Sequence, residues 1–427
     1  MILPLASTLP LSGALLPADV AVQLPHGQLM GTDKASVKLV FSNWSSLGRL
    51  KTGQIGALAE DYVEGKLQIE GAMRDVVRVV TQLMPGNPVN SDLHWWHGWM
   101  RHAHSLAAHT PAKDAVQVQF HYDVSSDFYA LWLDPRRVYS CAYYQDLTST
   151  ATTLAQAQEA KLDLICRKLM LHPRERFLDI GAGWGALLLW AAEHYGVDAT
   201  GITLSKNQHA HVQQLIDQKG LGQRVRILLR DYRTMASDPD DQAFDKIASV
   251  GMFEHVGQVN MTAYFSKIMS LLAPGGLVLN HGITAGGLKN RQLGAGMGDF
   301  IEKYIFPGGE LLHVSAILEH LARSGLELVD AENLRPHYAR TLWDWSNALE
   351  AQLDEGRRIL SAGSDPAQAE KTLRAYRLYL AGSAMSFEQG WISLHQLLAT
   401  RPTGDIASAA IRGAQSVYPF RRDYMYR

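Results

Sequence analysis

The 427-residue chain predicts an α/β fold built on a mostly parallel sheet, preceded by a small α+β unit. Three observations predict it. From residue 176 onward, short apolar runs alternate with stretches of helical length, the pattern of successive βα units. The first run, Arg176-Phe-Leu-Asp-Ile180, leads straight into Gly181, Gly183 and Gly185, after which Leu187 to Glu193 read as a helix. Late in the chain Leu326 to Val329 and Ile392 to Leu398 add two strands, the second read as antiparallel, for a sheet of seven.

Composition narrows the function classes. Hydrophobic residues make up 47% and charged residues 19%, as in an ordinary globular protein. A formal net charge of −2 gives no global attraction to nucleic acid or to anionic lipid. With only Cys141 and Cys166, a disulfide framework is excluded and a reducing, cytoplasmic setting is expected. No stretch reaches the roughly 20 apolar residues that span a bilayer. The apolar start has no Lys or Arg before Lys34 and is broken by Pro4, Pro10 and Pro17. It reads as a loosely ordered or interfacial arm rather than a secretory leader.

Three regions follow. Residues 1–90 form the N-terminal unit, with short strands at Val37 to Phe41 and Leu67 to Ile69 and an amphipathic helix from Gln54 to Glu64. The turn-rich Met84-Pro-Gly-Asn-Pro-Val closes it. Residues 91–150 form a helical linker and active-site cover. It opens with Trp95, Trp96 and Trp99 among His94, His97, His102, His104 and His109. His94 and His97 stand three apart on a helix, yet no cysteine is near, and no metal site is expected. An amphipathic helix with Trp at an interface is the reading. Phe120 to Tyr144 mixes aromatic and polar residues without period, as functional loops do.

Residues 151–427 carry the sheet. A helix is read over Leu154 to Leu171. Strands fall at 176–180, 197–202, 224–229, 244–250 and 275–281, with helices near 186–195, 205–219 and 260–272. In such Rossmann-like sheets ligands lie beyond the carboxyl ends of the strands, so loops 181–185, 203–208, 231–233 and 251–255, with His281, are the candidate site. The glycine spacing is G-x-G-x-G, not the dinucleotide G-x-G-x-x-G, and points to the first loop of S-adenosylmethionine (SAM) methyltransferases. No acid ends the second strand, so Gln208 either reaches the ribose or is a solvated helix residue. Six glycines between Gly282 and Gly298 predict a mobile flap or a linker. Ala236 to Gln242 reads as a surface insertion. Helices close the chain at Val314 to Ser324, Leu342 to Leu360 and Ala367 to Tyr379, the last opened by Asp365 as N-cap with Pro366 at N1.

The stretches FHYDVSSDFYALWLDP, YSCAYY, LDIGAGWG, GITLSKNQ, DYR, GMFEHVG, LVLNHGIT, FIEKYIFPGG and LRPHYARTLWDW together resemble the cyclopropane-fatty-acyl-phospholipid synthase and mycolic acid methyltransferase family. GALAEDYVEGKLQIEG, residues 56–71, is similar to the extra N-terminal domain of the phospholipid-acting members, which the shorter mycolate enzymes lack. The resemblance implies a class I SAM-dependent methyltransferase. Its SAM would lie across Tyr139, Ser140, Asp179, Gly181, Gly183, Gly185, Thr203, Gln208, Tyr232 and Arg233. A bicarbonate base would be held by Cys141, Glu254, His281, the backbone of Ile283 and Tyr338. It further implies unsaturated phospholipid acyl chains as substrate, peripheral contact with the inner face of the membrane, and a homodimer. An alkene is a weak nucleophile and its attack leaves a carbocation, so a dry aromatic pocket is also expected. Tyr304, Phe306, Tyr264 and Phe265 are its candidates, and Glu254 and His281 would take up the proton.

Overall fold

The computed structural model describes residues 19–32, 34–83, 126–235, 243–288, 297–305, 310–402 and 422–426. The Trp/His cluster of 92–110, the 236–242 insertion, Phe306 and residues 289–296 of the glycine-rich segment lie outside them. The N-terminal unit is a sheet of β1 (Val20–Gln23), β2 (Leu29–Met30), β3 (Val37–Phe41) and β4 (Leu67–Glu70), with helices α1 (Trp44–Lys51), α2 (Ile55–Val63) and α3 (Met73–Leu83). Its order is β2-β1-β3-β4. Along β3 Val37, Leu39 and Phe41 are buried and alternate with half-buried Lys38 and Val40, as one-sided strands require. In α3 the β-branched Val76, Val77, Val79 and Val80 are held in a helix because three of them bury their side chains in the core. That packing outweighs an intrinsic preference of a few tenths of a kcal/mol, about 0.5 per residue.

The large sheet is preceded by α4 (Ser126–Ala130) and α5 (Leu154–Lys168). A reciprocal capping box of Thr153 and Gln156 starts α5. Then come β5 (Arg176–Ile180), α6 (Ala186–Tyr195), β6 (Asp198–Thr203), α7 (Lys206–Gln218), β7 (Val225–Leu229), β8 (Phe244–Val250), α8 (Met261–Leu271) and β9 (Leu272–Ala285). The chain continues through α9 (Met297–Tyr304), α10 (Val314–Arg323), β10 (Glu327–Asn333), α11 (Arg335–Glu350), α12 (Leu353–Gly363), α13 (Pro366–Glu388) and β11 (Ile392–Thr400). The seven strands run β10-β11-β9-β8-β5-β6-β7. Strands β5 to β9 pair in parallel, and β11 lies antiparallel between β9 and β10. The strand order therefore reverses direction between β5 and β8, where such sheets open a crevice.

Four sequence expectations change. The single helix expected over Leu342 to Leu360 is two. Gln352 turns its amide onto the Leu131 carbonyl (2.7 Å), and α12 then folds back along α13. Asp365 is the N-cap of α13 with Pro366 opening the helix, as expected, but its side chain makes no capping bond. That helix runs on to Glu388, because Leu380, Ala381, Ala384, Met385 and Phe387 continue its buried face. The start of the expected flap is strand: Gly282 pairs with His395 across β9 and β11. A Cβ on Gly282 would sit 1.9 Å from the Phe253 ring, so only glycine fits. The N-terminal sheet shares one hydrophobic cluster, from Val20 to Leu394, with α11 and α13. Among the described residues no helix is long and apolar enough to cross a membrane.

Candidate active site

At the crevice the β5–α6 turn carries Gly181, Gly183 and Gly185 at φ of +80°, +55° and +83°. Their roles differ. A Cβ on Gly183 would meet nothing closer than the Gly181 carbonyl at 4.0 Å, so this residue fronts open space. One on Gly185 would press into the Val212 methyls at 2.9 Å. Gly185, expected as a cofactor contact, instead lets α6 pack against α7, and it does not line the cavity.

The cavity itself, about 160 Å³, is lined by Tyr139, Ser140, Asp179, Gly181, Gly183, Thr203, Gln208, Tyr232 and Arg233, nine of the ten expected positions. Gln208 is buried, with Oε1 accepting from the Thr203 hydroxyl at 2.8 Å, so it is no solvated helix residue. Asp231 clamps Arg233, accepting from its guanidinium at 3.0 and 2.6 Å and from its backbone amide at 2.9 Å.

Sequence reasoning missed Lys161. It lies on the buried face of α5, lines the cavity and donates to Ser140 Oγ at 2.9 Å. Burial lowers its ammonium to about 8. Burial raises the Asp179 carboxyl to about 7, with Lys161 pulling it back. Lys161 and Asp179 thus add a buried amine and a buried carboxyl to a cavity also lined by Arg233 and Asp231, which suits the zwitterionic methionine end of SAM. The only sequence signal was a lysine on the apolar side of an amphipathic helix. Gln158, one turn earlier, donates to the Ser140 carbonyl (2.9 Å), and Thr341 accepts from the Ala142 amide (3.0 Å). The aperiodic 138–144 stretch is therefore pinned between α5 and α11.

A second group of residues gathers where β8 ends at Val250, beside His281 within β9. Glu254 follows β8 in a single turn of tight helix. Its Oε1 accepts from the Ile283 amide at 2.7 Å, so that amide, expected to touch an anion, holds Glu254 instead. Burial lifts the Glu254 carboxyl to about 7, and its Oε2 has no partner among the described residues. His281 is 1% exposed; its Nδ1 lies 3.1 Å from Gln396 Nε2, and its Nε2 is likewise without a partner among the described residues. Burial, then the Lys161 and Lys168 charges, hold its imidazole well below its ordinary pKa. The neutral ring therefore offers one N–H donor and one bare nitrogen. The Leu334 carbonyl ties the last two residues together, accepting the Tyr338 amide (3.1 Å) and the Cys141 thiol (3.9 Å). Burial pushes the Cys141 thiol far up, so it stays a neutral S–H and no nucleophile.

Two of the aromatic candidates pack away from the crevice. Tyr264 and Phe265 are fully buried in the core beside α8 and line neither the crevice cavity nor the apolar cavity beside the N-terminal sheet; Tyr264 donates to Asn280 Oδ1 (3.0 Å). Tyr304 packs against Phe300 with ring centroids 5.1 Å apart. Rings instead cluster about Tyr139: Tyr129, Trp132 and Trp345 have centroids 5.4–5.5 Å from it. Its hydroxyl donates to that of Tyr379 at 3.3 Å, and Tyr338 lies edge-on to Trp345 at 6.0 Å.

Comparison with known proteins agrees with this geometry. The mycolic acid cyclopropane synthetase family matches residues 109–397. A probable fatty acid methyltransferase of Pseudomonas putida is 42% identical over 381 residues, covering 89% of each chain. Cyclopropane mycolic acid synthase 1 of Mycobacterium tuberculosis is 39% identical over 291 residues, which make up 66% of this chain and 95% of its own. A crystal structure of mycolic acid cyclopropane synthase CmaA1 complexed with SAH and CTAB superposes with a TM-score of 0.59 at 38% identity, covering 67% of this chain and 98% of that one. With its seven-stranded sheet and glycine-lined crevice, the chain belongs to the mycolic acid cyclopropane synthetase family and is a SAM-dependent methyltransferase.

Proposed function

We propose that the enzyme transfers a one-carbon unit to the cis double bond of unsaturated acyl chains in membrane phospholipid and closes a cyclopropane ring, with bicarbonate as base. The carrying observation is the pair of buried polar atoms without partners among the described residues, Glu254 Oε2 just after β8 and Nε2 of His281, the β9 residue that pairs with Val250 at the end of β8. Bound SAM supplies an electrophilic methyl group, and bound bicarbonate supplies a small base that leaves no tether to the protein. Glu254 and His281, with Tyr338 and Cys141, would hold that base. The residues around them do the rest. The rings about Tyr139 exclude water and present π faces to a developing cation. Glu254, poised at about 7, is matched to accepting a proton near neutral pH. Reversible peripheral docking would bring bilayer lipid to this site.

An apolar cavity of about 130 Å³ supports an acyl substrate. It is lined by Val37, Leu39 and Val80 of the N-terminal unit and by Phe300, Leu378 and Tyr379, and Tyr379 links it to Tyr139 at the cofactor cavity. Gly382 also lines it, and a Cβ there would meet nothing within 4 Å. Gly382→Leu is expected to favour the helix by about 0.5–1 kcal/mol yet shift relative kcat/KM toward shorter acyl chains by on the order of tenfold. Competition between phospholipids of two chain lengths checks this; an unchanged preference removes the cavity from the substrate path.

A sibling reading, in which the cation loses its proton to leave a methylene-branched chain, or takes a hydride from a separate reductant to leave a methyl-branched one, is favoured by the name of the Pseudomonas relative, a probable fatty acid methyltransferase. Incubation with labelled SAM and mixed phospholipid vesicles tests both. Label in the lipid fraction is expected; NMR of that lipid separates ring from methylene branch, which share one mass, and a saturated methyl branch is two hydrogens heavier. No label in lipid would sink both readings.

A further inference from the structure

We propose that Lys168 and Gln396 are positioning residues that lock His281 in the tautomer carrying its proton on Nε2, making the ring a hydrogen-bond donor toward a bound anion. Glu332, Gln396 and His281 are register partners in a row across β10, β11 and β9, so their side chains share one face of the sheet. Lys168, the last residue of α5, reaches this row from the helix layer and is 1% exposed. Its ammonium donates to the Glu332 carboxylate and to Gln396 Oε1, the latter at 2.7 Å.

The direction of each bond follows from what each atom can do. An ammonium only donates, so the Gln396 oxygen must be the atom turned toward Lys168. The amide nitrogen of Gln396 is then the atom at 3.1 Å from His281 Nδ1. An amide nitrogen donates and does not accept, so Nδ1 must be bare. A neutral imidazole with a bare Nδ1 carries its hydrogen on Nε2, the atom left without a protein partner among the described residues. Burial lowers the Lys168 pKa and the Glu332 carboxylate in contact with it opposes that, so the ion pair favours the ammonium at the start of the chain. Two consequences follow. His281 offers a donor to an anionic oxygen, and the proton released in turnover does not pass to its Nε2. The identity of that anion as bicarbonate rests on the function proposed above; the tautomer does not.

Nitrogen-15 NMR of histidine-labelled full-length enzyme tests this directly, with the His281 signals assigned by their loss in His281→Gln. Wild type is expected to show a protonated Nε2 and a bare Nδ1. Gln396→Glu puts two acceptors where the amide was, and is expected to move the proton to Nδ1 and cut turnover on the order of a hundredfold with SAM affinity unchanged. Lys168→Met frees the amide to flip and should give a mixture of tautomers, which Lys168→Arg restores to one. A wild-type ring protonated on Nδ1, or a tautomer indifferent to Gln396→Glu, overturns the proposal. Should either Lys168 variant fail to fold, the wild-type and Gln396→Glu spectra still decide. Titrating sodium bicarbonate separates the two layers. A shift of the Nε2–H signal supports the anion reading, whereas the predicted tautomer without any shift keeps the lock and removes bicarbonate from His281.

Discussion

Glu254→Gln is expected to lower turnover on the order of a hundredfold, the usual scale for losing acid–base assistance, with SAM affinity near wild type. The amide can still accept from Ile283, so the shape survives. What goes is the carboxylate whose second oxygen has no partner among the described residues. Stability should move the other way. The Glu254 carboxyl is raised from 4.5 to about 7 by burial, so between those values the folded protein binds more protons here than the unfolded chain. Its contribution to stability is therefore lost as pH rises from about 4.5 to 7 and stays lost above. Glutamine removes that penalty, which at about 1.4 kcal/mol per unit amounts to roughly 3 kcal/mol. The unfolding midpoint of Glu254→Gln relative to wild type should then climb between pH 5 and pH 8. A difference that is flat with pH would mean the carboxyl is not buried as described.

Gly183→Val is expected to weaken SAM binding by more than tenfold, about 1.4 kcal/mol or more. Its side chain would project into the cavity, where a Cβ has no neighbour nearer than 4.0 Å. Holding a β-branched residue at φ +55° also costs about 1–2 kcal/mol of fold stability. Gly185→Val separates the two effects. Its Cβ would collide with Val212, so it should lower the unfolding midpoint more than Gly183→Val does. Calorimetry with SAM on folded protein measures the binding; equal affinity in Gly183→Val and wild type would mean the glycine loop is not the cofactor's seat.

The parallel core was legible because each strand is a short apolar run bounded by glycine or polar residues; predicted and observed limits for β5 and β8 coincide. The crevice loops after β5 to β8 were legible for the same reason, whereas Tyr139 and Ser140, which precede the sheet, were placed only by the family resemblance. Helix ends in the C-terminal part were not. The break after Glu350 and the extension to Glu388 are set by partners remote in sequence, such as the Leu131 carbonyl and the N-terminal sheet. Lys161, Lys168 and Gln396 escaped notice because a polar residue in a strand or on a helix carries no sign of burial until the sheet is assembled. Tyr264 and Phe265 were misread for a related reason. They sit near the Glu254 motif in sequence, but α8 turns them into the core, while Trp345 and Tyr379 of the ring cluster lie about 80 and 115 residues beyond Tyr264.

The central claim is that the Glu254 and His281 region holds a bicarbonate base, and dependence on carbonate tests it most directly. Wild-type enzyme and Glu254→Gln, both stripped of carbonate, would be assayed for methyl transfer to lipid while bicarbonate is added back. The account predicts strong stimulation of wild type and far weaker stimulation of the variant, at equal SAM occupancy. Full activity in carbonate-free wild type, together with full activity in Glu254→Gln, would contradict it.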